Sequence, residues 1–297
     1  MASVQDIKRR IRSVRNTRKI TRAMELVAAA KLRRAQARIE AMRPYADRML
    51  ELMAGTARAA GSVRGIPLLQ QREVETVGLL ALTGDRGLAG PFNGQILRRA
   101  FALERELRRD GHQVQWLVAG KKGRSTLTFR RYELAASWTG FSDQPAYADA
   151  QAIAHRLGEL FVEGAVDRVM VVYNHFESPL VQRVVEQEVL PVAEDIFARR
   201  GDEEAEDRGL AGDFIYEPEP ELILERLVPV YLETEIYRAL LESAASEQGA
   251  RMTAMRNASK NAGELIDRLT LDMNRARQAE ITQEILEVVA GADALTQ

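Results

Sequence analysis

The sequence predicts an α/β central domain on a mostly parallel sheet, set between two long terminal helices that pair as an antiparallel coiled coil. Three observations predict it. All aromatic side chains except Tyr45 and Tyr237 lie between residues 73 and 231, so the residues that dominate burial in compact cores are confined to the middle. Proline is absent before Pro44 and after Pro229, and apolar residues in both ends recur at three-four spacing. The middle instead alternates short apolar runs with helix-like stretches, the pattern of strands in a sheet covered by helices.

The first arm, residues 1–60, opens with Val4, Ile7, Ile11 and Val14 on one stripe. The stripe then restarts as Ile20, Met24 and Val27, and again as Leu32, Ala35, Ile39 and Met42. Each restart is expected to be a phase slip that alters the supercoil locally. In the central domain, residues 73–200, the runs 76–82, 114–118 and 168–173 read as buried strands, and 181–189 as an additional one. Stretches near 93–110 and 146–163 read as the helices between them. The acidic, proline-bearing segment 201–221 reads as a solvated connection. The last arm spans residues 222–297, and its proline-free stretch after Pro229 could reach roughly 100 Å at the helical rise per residue. Its seam runs Met252, Met255, Ser259, Ala262, Ile266, Leu269, Met273 and Ala276. Beyond it the heptad fails: Glu280, Gln283 and Glu287 continue the seam, while Ile281, Ile285, Val288 and Ala292 open a second face.

The formal net charge of −1 conceals a division. Residues 1–43 carry thirteen Lys or Arg against three acidic side chains, which leaves the remainder strongly negative. The chain has no cysteine, which excludes disulfides, thiolate metal sites and a cysteine nucleophile. Its start reads as neither a secretory signal nor an organellar leader, and no apolar run approaches a membrane span, so a soluble chain is expected.

A search for chemistry returns little. The loop Gly84–Gly90 has three glycines without the spacing of a dinucleotide fingerprint, and Asp85 would oppose a pyrophosphate. Gly120-Lys121-Lys122-Gly123-Arg124-Ser125 has the look of a phosphate loop but not its order. Its glycines read as serving tight strand-to-helix turns. His112, His155 and His175 are isolated and read as satisfied or surface side chains. No catalytic residue, cofactor site or metal site is expected. The basic arm could grip nucleic acid, but it lacks stacking aromatics and a groove-reading motif, and reads better as a helix face complementing carboxylates. A nucleotide-dependent enzyme on the central sheet and a coiled-coil nucleic-acid adaptor are the two rival classes.

Several stretches together resemble one family. They are the run from Asn16 to Lys31, then Asp85-Arg86-Gly87-Leu88-Ala89-Gly90 with Asn93, then Tyr216-Glu217-Pro218-Glu219-Pro220, then the run from Ala245 to Met252. The most specific is the run from Ala276 to Ile285 with Glu287 and Gly291-Ala292. The chain resembles the gamma subunit of bacterial-type F-type ATP synthases, the central stalk, although Ala89 and Pro91 stand where the family often has cysteine and glycine. The resemblance implies a non-catalytic, single-copy rotor shaft with a Rossmann-like central domain. It would carry rotation of a proton-driven c ring to the catalytic sites of an alpha–beta hexamer and contribute to regulating ATPase activity and proton flow. The partners implied are the alpha, beta and epsilon subunits and the c ring, with no nucleic acid, at the cytoplasmic face of the cell membrane. Met24, Arg251, Arg277, Gln278, Thr282 and Glu287 correspond to hexamer-facing positions, with added positive charge at Met24 expected to disturb coupling. Tyr216, Glu217 and Glu219 correspond to the foot on the c ring.

Overall fold

The computed structural model describes residues 3–60, 65–179, 181–193 and 219–296, with the side chains of the last helix described as far as residue 289. Helix α1 spans Val4–Ala60, and a short 3-10 turn covers Pro67–Leu69. There follow β1 (Thr76–Leu82), α2 (Phe92–Arg109), β2 (Gln113–Ala119), α3 (Lys121–Phe129), β3 (Leu134–Trp138), α4 (Tyr147–Val162), β4 (Arg168–Phe176), β5 (Gln182–Leu190) and α5 (Pro220–Thr296). The chain forms two compact units. One holds residues 1–28 and 251–297, the other residues 29–250, so each long helix contributes to both.

The second unit is built on a five-stranded sheet of order β3-β2-β1-β4-β5. The first four strands are parallel and β5 is antiparallel to β4. Strand β1 lies at the centre and is buried on both faces, which is why its sequence is an almost unbroken apolar run. Leu80 and Leu82 pack with Met49 and Met53 of α1, Ile153, Leu157 and Phe161 of α4, and Leu224, Val228 and Leu232 of α5. Val77, Leu79 and Ala81 face the other way, against Phe92, Ile96 and Leu103 of α2 and Leu127 of α3. Full burial of each such side chain contributes about 2 kcal/mol, so the sheet is stabilised by both layers.

The runs at 76–82, 114–118 and 168–173 fall in strands, the run 181–189 falls in β5 from Gln182, and both expected helical stretches match α2 and α4 to within a residue. Helix α3 and strand β3 were not anticipated. Helix α3 carries Gly123, Ser125, Thr126 and Thr128, poor helix formers in so short a segment, and β3 is a five-residue edge strand without a strong apolar alternation. Helix α5 starts with Pro220 in its first turn, where the missing amide costs nothing, and continues through Pro229. The acidic connection lies outside the described residues as far as residue 218.

In the first unit, α1 and α5 pair antiparallel. Ile7 and Ile11 are buried with Ile266, with Val14, Leu269, Met273 and Ala276 packed alongside. Farther along, Glu25 of α1 accepts a hydrogen bond from Arg256 of α5. Every seam residue expected from Met252 to Ala276 is buried or half-buried. The phase slip expected at Ile20 does not occur. Ile20 is 60% and Val27 56% exposed, whereas Thr21, Glu25 and Ala28 are buried. These keep the register of Ile7, Ile11 and Val14, with exposed Arg18 at the position between. The seam turns polar there because Glu25 must meet Arg256, and the apolar residues occupy the outer face instead.

Candidate functional site

The carboxyl end of the parallel strands is where an open α/β sheet ordinarily receives a ligand. Here the chain fills that end itself. Lys121 N–H, first of α3, donates to Asp85 Oδ1 at 2.9 Å. Lys122 N–H donates to the Gly84 carbonyl at 3.1 Å, and Gly123 N–H to Thr83 Oγ1 at 2.9 Å. Those are the amides a phosphate would need. Asp85 Oδ2 also accepts from Gly140 N–H at 2.9 Å and Ser142 N–H at 3.1 Å, and Asp85 N–H donates to Ser142 Oγ at 2.8 Å. Asn93 Oδ1 accepts from Gly84 N–H at 2.8 Å. The motif Asp85–Gly90 with Asn93 therefore stitches the loops after β1, β2 and β3 together. Its glycines serve the turns, as expected. Gly120 shows why: its φ is +100°, and a β-carbon there would lie 2.1 Å from the Thr83 carbonyl oxygen.

The histidines all have partners. His112 Nδ1 meets the Val74 carbonyl at 2.8 Å, His155 meets Glu159 at 3.1 Å, and His175 Nδ1 lies 2.5 Å from Glu242 Oε2. The last belongs to a partly buried polar network between β4, β5 and α5, in which Tyr173 and Glu242 are buried. Arg238 pairs with Glu235 at 2.6 Å, Gln187 Nε2 donates to Glu235 at 2.7 Å, and Tyr173 OH donates to Gln187 Oε1 at 3.1 Å. Burial pushes the Tyr173 phenol up, helped by the charge of Glu242. Nothing in the sequence pointed to this network, because its members are divided among three elements far apart in the chain.

In the unit formed by the helix pair, Arg22 donates to Glu25 Oε2 at 2.8 Å and Arg256 to Oε1 at 3.0 Å. Burial raises the Glu25 carboxyl, but hydrogen bonds and charge from Arg256 and Arg22 outweigh it and hold it below its usual 4.5. Around this pair lies a groove of about 730 Å³ lined by Arg18, Lys19, Arg22, Arg256 and Lys260, the basic face that the charge count anticipated.

The residues expected to meet a hexamer are distributed along this unit and not gathered at one point. Met24 is half-buried beside Glu25. Arg251, also expected on the hexamer-facing shaft, is 7% exposed. Roughly 40 Å farther along α5, by the helical rise, Arg277, Gln278, Thr282 and Glu287 are exposed. Thr282 Oγ1 donates to the Gln278 carbonyl at 2.8 Å, and Gln283 Nε2 to Glu287 Oε1 at 2.9 Å. All side chains from 277 to 289 are exposed. Ile281, Ile285, Leu286, Val288 and Val289 among them stand without cover. Glu219 is exposed, and its carbonyl accepts from Leu222 and Ile223 at the start of α5. Tyr216 and Glu217 lie outside the described residues. Among the described residues no helix is long and apolar enough to cross a membrane.

Comparison with known proteins gives a consistent answer. A family model described as ATP synthase matches residues 3–295. The chain is 47% identical to the ATP synthase gamma chain of Rubrobacter xylanophilus over 298 residues, covering 99% of each. It is 47% identical to that of Moorella thermoacetica over 295 residues, covering 99% of this chain and all of the other. Among solved structures, it resembles a chain of the central stalk and c-ring assembly of Tetrahymena thermophila mitochondrial ATP synthase, with a TM-score of 0.58 and 29% identity over 81% of this chain and 99% of that one. A chain of the Euglena gracilis mitochondrial enzyme shares the fold at a TM-score of 0.70 and 18% identity, over 98% of this chain and 94% of that one.

Proposed function

The chain belongs to the ATP synthase gamma-chain family, and on that premise we propose that it is the shaft of a bacterial proton-driven ATP synthase, carrying rotation of a c ring to catalytic sites on an alpha–beta hexamer. It works as a non-catalytic part of the central stalk, one copy per complex, bound peripherally at the cytoplasmic face of the membrane. Its partners are the alpha, beta and epsilon subunits and the c ring, with Tyr216, Glu217 and Glu219 forming the foot on that ring. Through the same contacts it contributes to regulating ATPase activity and proton flow.

One observation carries this reading: the helix pair has apolar surface that the chain itself does not cover. Ile20, Leu26 and Val27 are 56–60% exposed on α1, and among the described residues α5 is exposed from 277 to 289, presenting Ile281, Ile285, Val288 and Val289. Such surface needs a surrounding protein. A shaft with different residues at each azimuth also contacts three surrounding subunits unequally, and only unequal contact shifts their conformational equilibria. Charge and apolar area supply both kinds of contact, at Met24 and the basic groove on one level and at Arg277, Gln278, Thr282 and Glu287 on another. Arg251 is proposed as a further hexamer-facing position on the shaft, its side chain 7% exposed in the free chain.

The test is a double substitution, Arg277→Ala with Gln278→Ala, in a complex reconstituted from the full chain. Both side chains are exposed, so the isolated fold is expected to stay intact while proton-driven synthesis or assembly falls. Normal synthesis by the double variant would show that these residues are not the hexamer contact.

A further inference from the structure

Four consecutive residues of α5, Ser246 to Gly249, are each held by a different part of the sheet's carboxyl end. Ser246 Oγ donates to the Asn174 carbonyl of β4 at 3.1 Å. The Glu247 carboxylate fills the space beside Gly84, where a β-carbon would lie 2.8 Å from it. Gln248 Nε2 donates to Asp143 Oδ1 in the β3–α4 loop at 2.8 Å. Gly249 lies against the β4–β5 turn, where an added β-carbon would be 3.3 Å from the Pro179 carbonyl oxygen. Successive residues on a helix are about 100° apart, so four in a row face every direction around the axis. The helix is gripped on all sides at one level, and residues 239–252 are buried without a break.

Asp143 extends this grip to the other helix. Its Oδ2 pairs with Lys31 Nζ of α1 at 2.7 Å, while Arg86 from the loop after β1 stands 3.7 Å away. The loop that carries Asp143 is itself pinned by Asp85, through Gly140, Ser142 and the first amide of α3. Lys31, Asp85-Arg86 and Gln248 come from three of the stretches that carried the family resemblance, and they meet at a residue none of those stretches contains. Lys31 and Asp143 are each about a quarter exposed, which makes their attraction stronger than a surface pair and still partly screened.

We propose that this collar, closed by Asp143, is where turning of the α/β unit is passed to α1 and α5, with Asp143 as the positioning residue that locks both helices against rotation about their own axes. Extended apolar packing along a sheet resists separation but lets a helix roll. Two directional hydrogen bonds, from Ser246 and Gln248, and two close contacts, at Glu247 and Gly249, oppose rolling from four azimuths, and a carboxylate shared by both helices makes them turn together.

The proposal rests on the rotor reading, and its test separates the two. A single cysteine placed at exposed Phe129 of this cysteine-free chain carries a probe in a complex whose alpha–beta hexamer is immobilised. If the parent complex does not rotate under ATP, the rotor reading fails. If it rotates, the angular distribution of the probe during catalytic pauses measures torsional stiffness. Asp143→Ala is expected to widen that distribution and to lower proton pumping per ATP hydrolysed, with hydrolysis itself retained. Asp143→Asn keeps the volume and an acceptor for Gln248 but loses the charge opposite Lys31, so it gives a smaller widening and serves if the alanine variant fails to assemble. The exchange Lys31→Asp with Asp143→Lys is expected to narrow the distribution again. A role confined to stability would lower the melting temperature and leave the angular width alone. Unchanged width in the substituted complexes overturns the proposal.

Discussion

Replacing Asp85 with alanine tests the stitched end of the sheet directly. The Asp85 carboxylate accepts three backbone amides, those of Lys121, Gly140 and Ser142, at 2.9 to 3.1 Å. A hydrogen bond to a charged group contributes about 1.5–3 kcal/mol when protected, and about 1 kcal/mol where the amide can turn to water instead. The Lys121 and Gly140 bonds are exposed and the Ser142 bond is partly buried. The expected loss is therefore about 4 kcal/mol for the sheet unit. With a urea dependence of about 3 kcal/mol per molar, the midpoint falls by about 1.3 M. The assay is intrinsic fluorescence. The chain has two tryptophans, Trp116 and Trp138, in β2 and β3, so the signal reports the sheet unit. Trp138 is also the last residue of β3, directly before the loop that Asp85 holds. A midpoint within about 0.2 M of the parent, at unchanged slope, would refute the assignment of Asp85 as the stitch.

Two other outcomes follow from the geometry. Gly120→Ala forces a β-carbon to 2.1 Å from a backbone oxygen at a φ of +100°, and is expected to cost more than about 3 kcal/mol; Gly111→Ala, at φ +96° with nothing within 4 Å, should cost only about 1 kcal/mol in the same fluorescence assay. Glu25 has a folded pKa below its unfolded value of 4.5, so its stabilisation is present above that pH and is lost as pH falls through the folded value. Helix melting followed by circular dichroism should therefore show lower stability for Glu25→Gln at pH 7 and a flatter decline for that variant below about pH 5, and parallel pH profiles would contradict the pairing.

The strands were legible because β1, β2 and β4 are buried on both faces, which forces continuous apolar runs that few other structures require. The α5 seam was legible because an apolar heptad faces α1 directly. The α1 seam was misread between Ile20 and Val27 because apolar residues there serve the outer surface, while Thr21 and Glu25 hold the inner one. Periodicity identifies an apolar face without saying which neighbour covers it. The failure of the heptad beyond Ala276 had the same cause and was read correctly, since Ile281, Ile285 and Val288 stand exposed. At the sheet's carboxyl end, Asp85 was noticed for what it would repel, and the structure adds what it holds. Asp143 could not be found from the sequence, because a lone aspartate in a loop acquires meaning only when Lys31 and Gln248 are brought to it.

The burial of α5 between residues 239 and 252 also bears on how the protein is made. The last strand is complete at Leu190, yet Leu224, Val228, Leu232, Ile236 and Leu240, which cover one face of the sheet, follow as much as fifty residues later. At translation rates of 5–20 residues per second, that interval lasts about 3 to 10 seconds. During it the nascent sheet has α4 on that face but not α5, leaving part of the apolar surface of Leu80, Leu82, Val171 and Tyr173 open on the ribosome. Emergence of α5 through Leu240, and not completion of the sheet, is the moment at which that apolar face is covered.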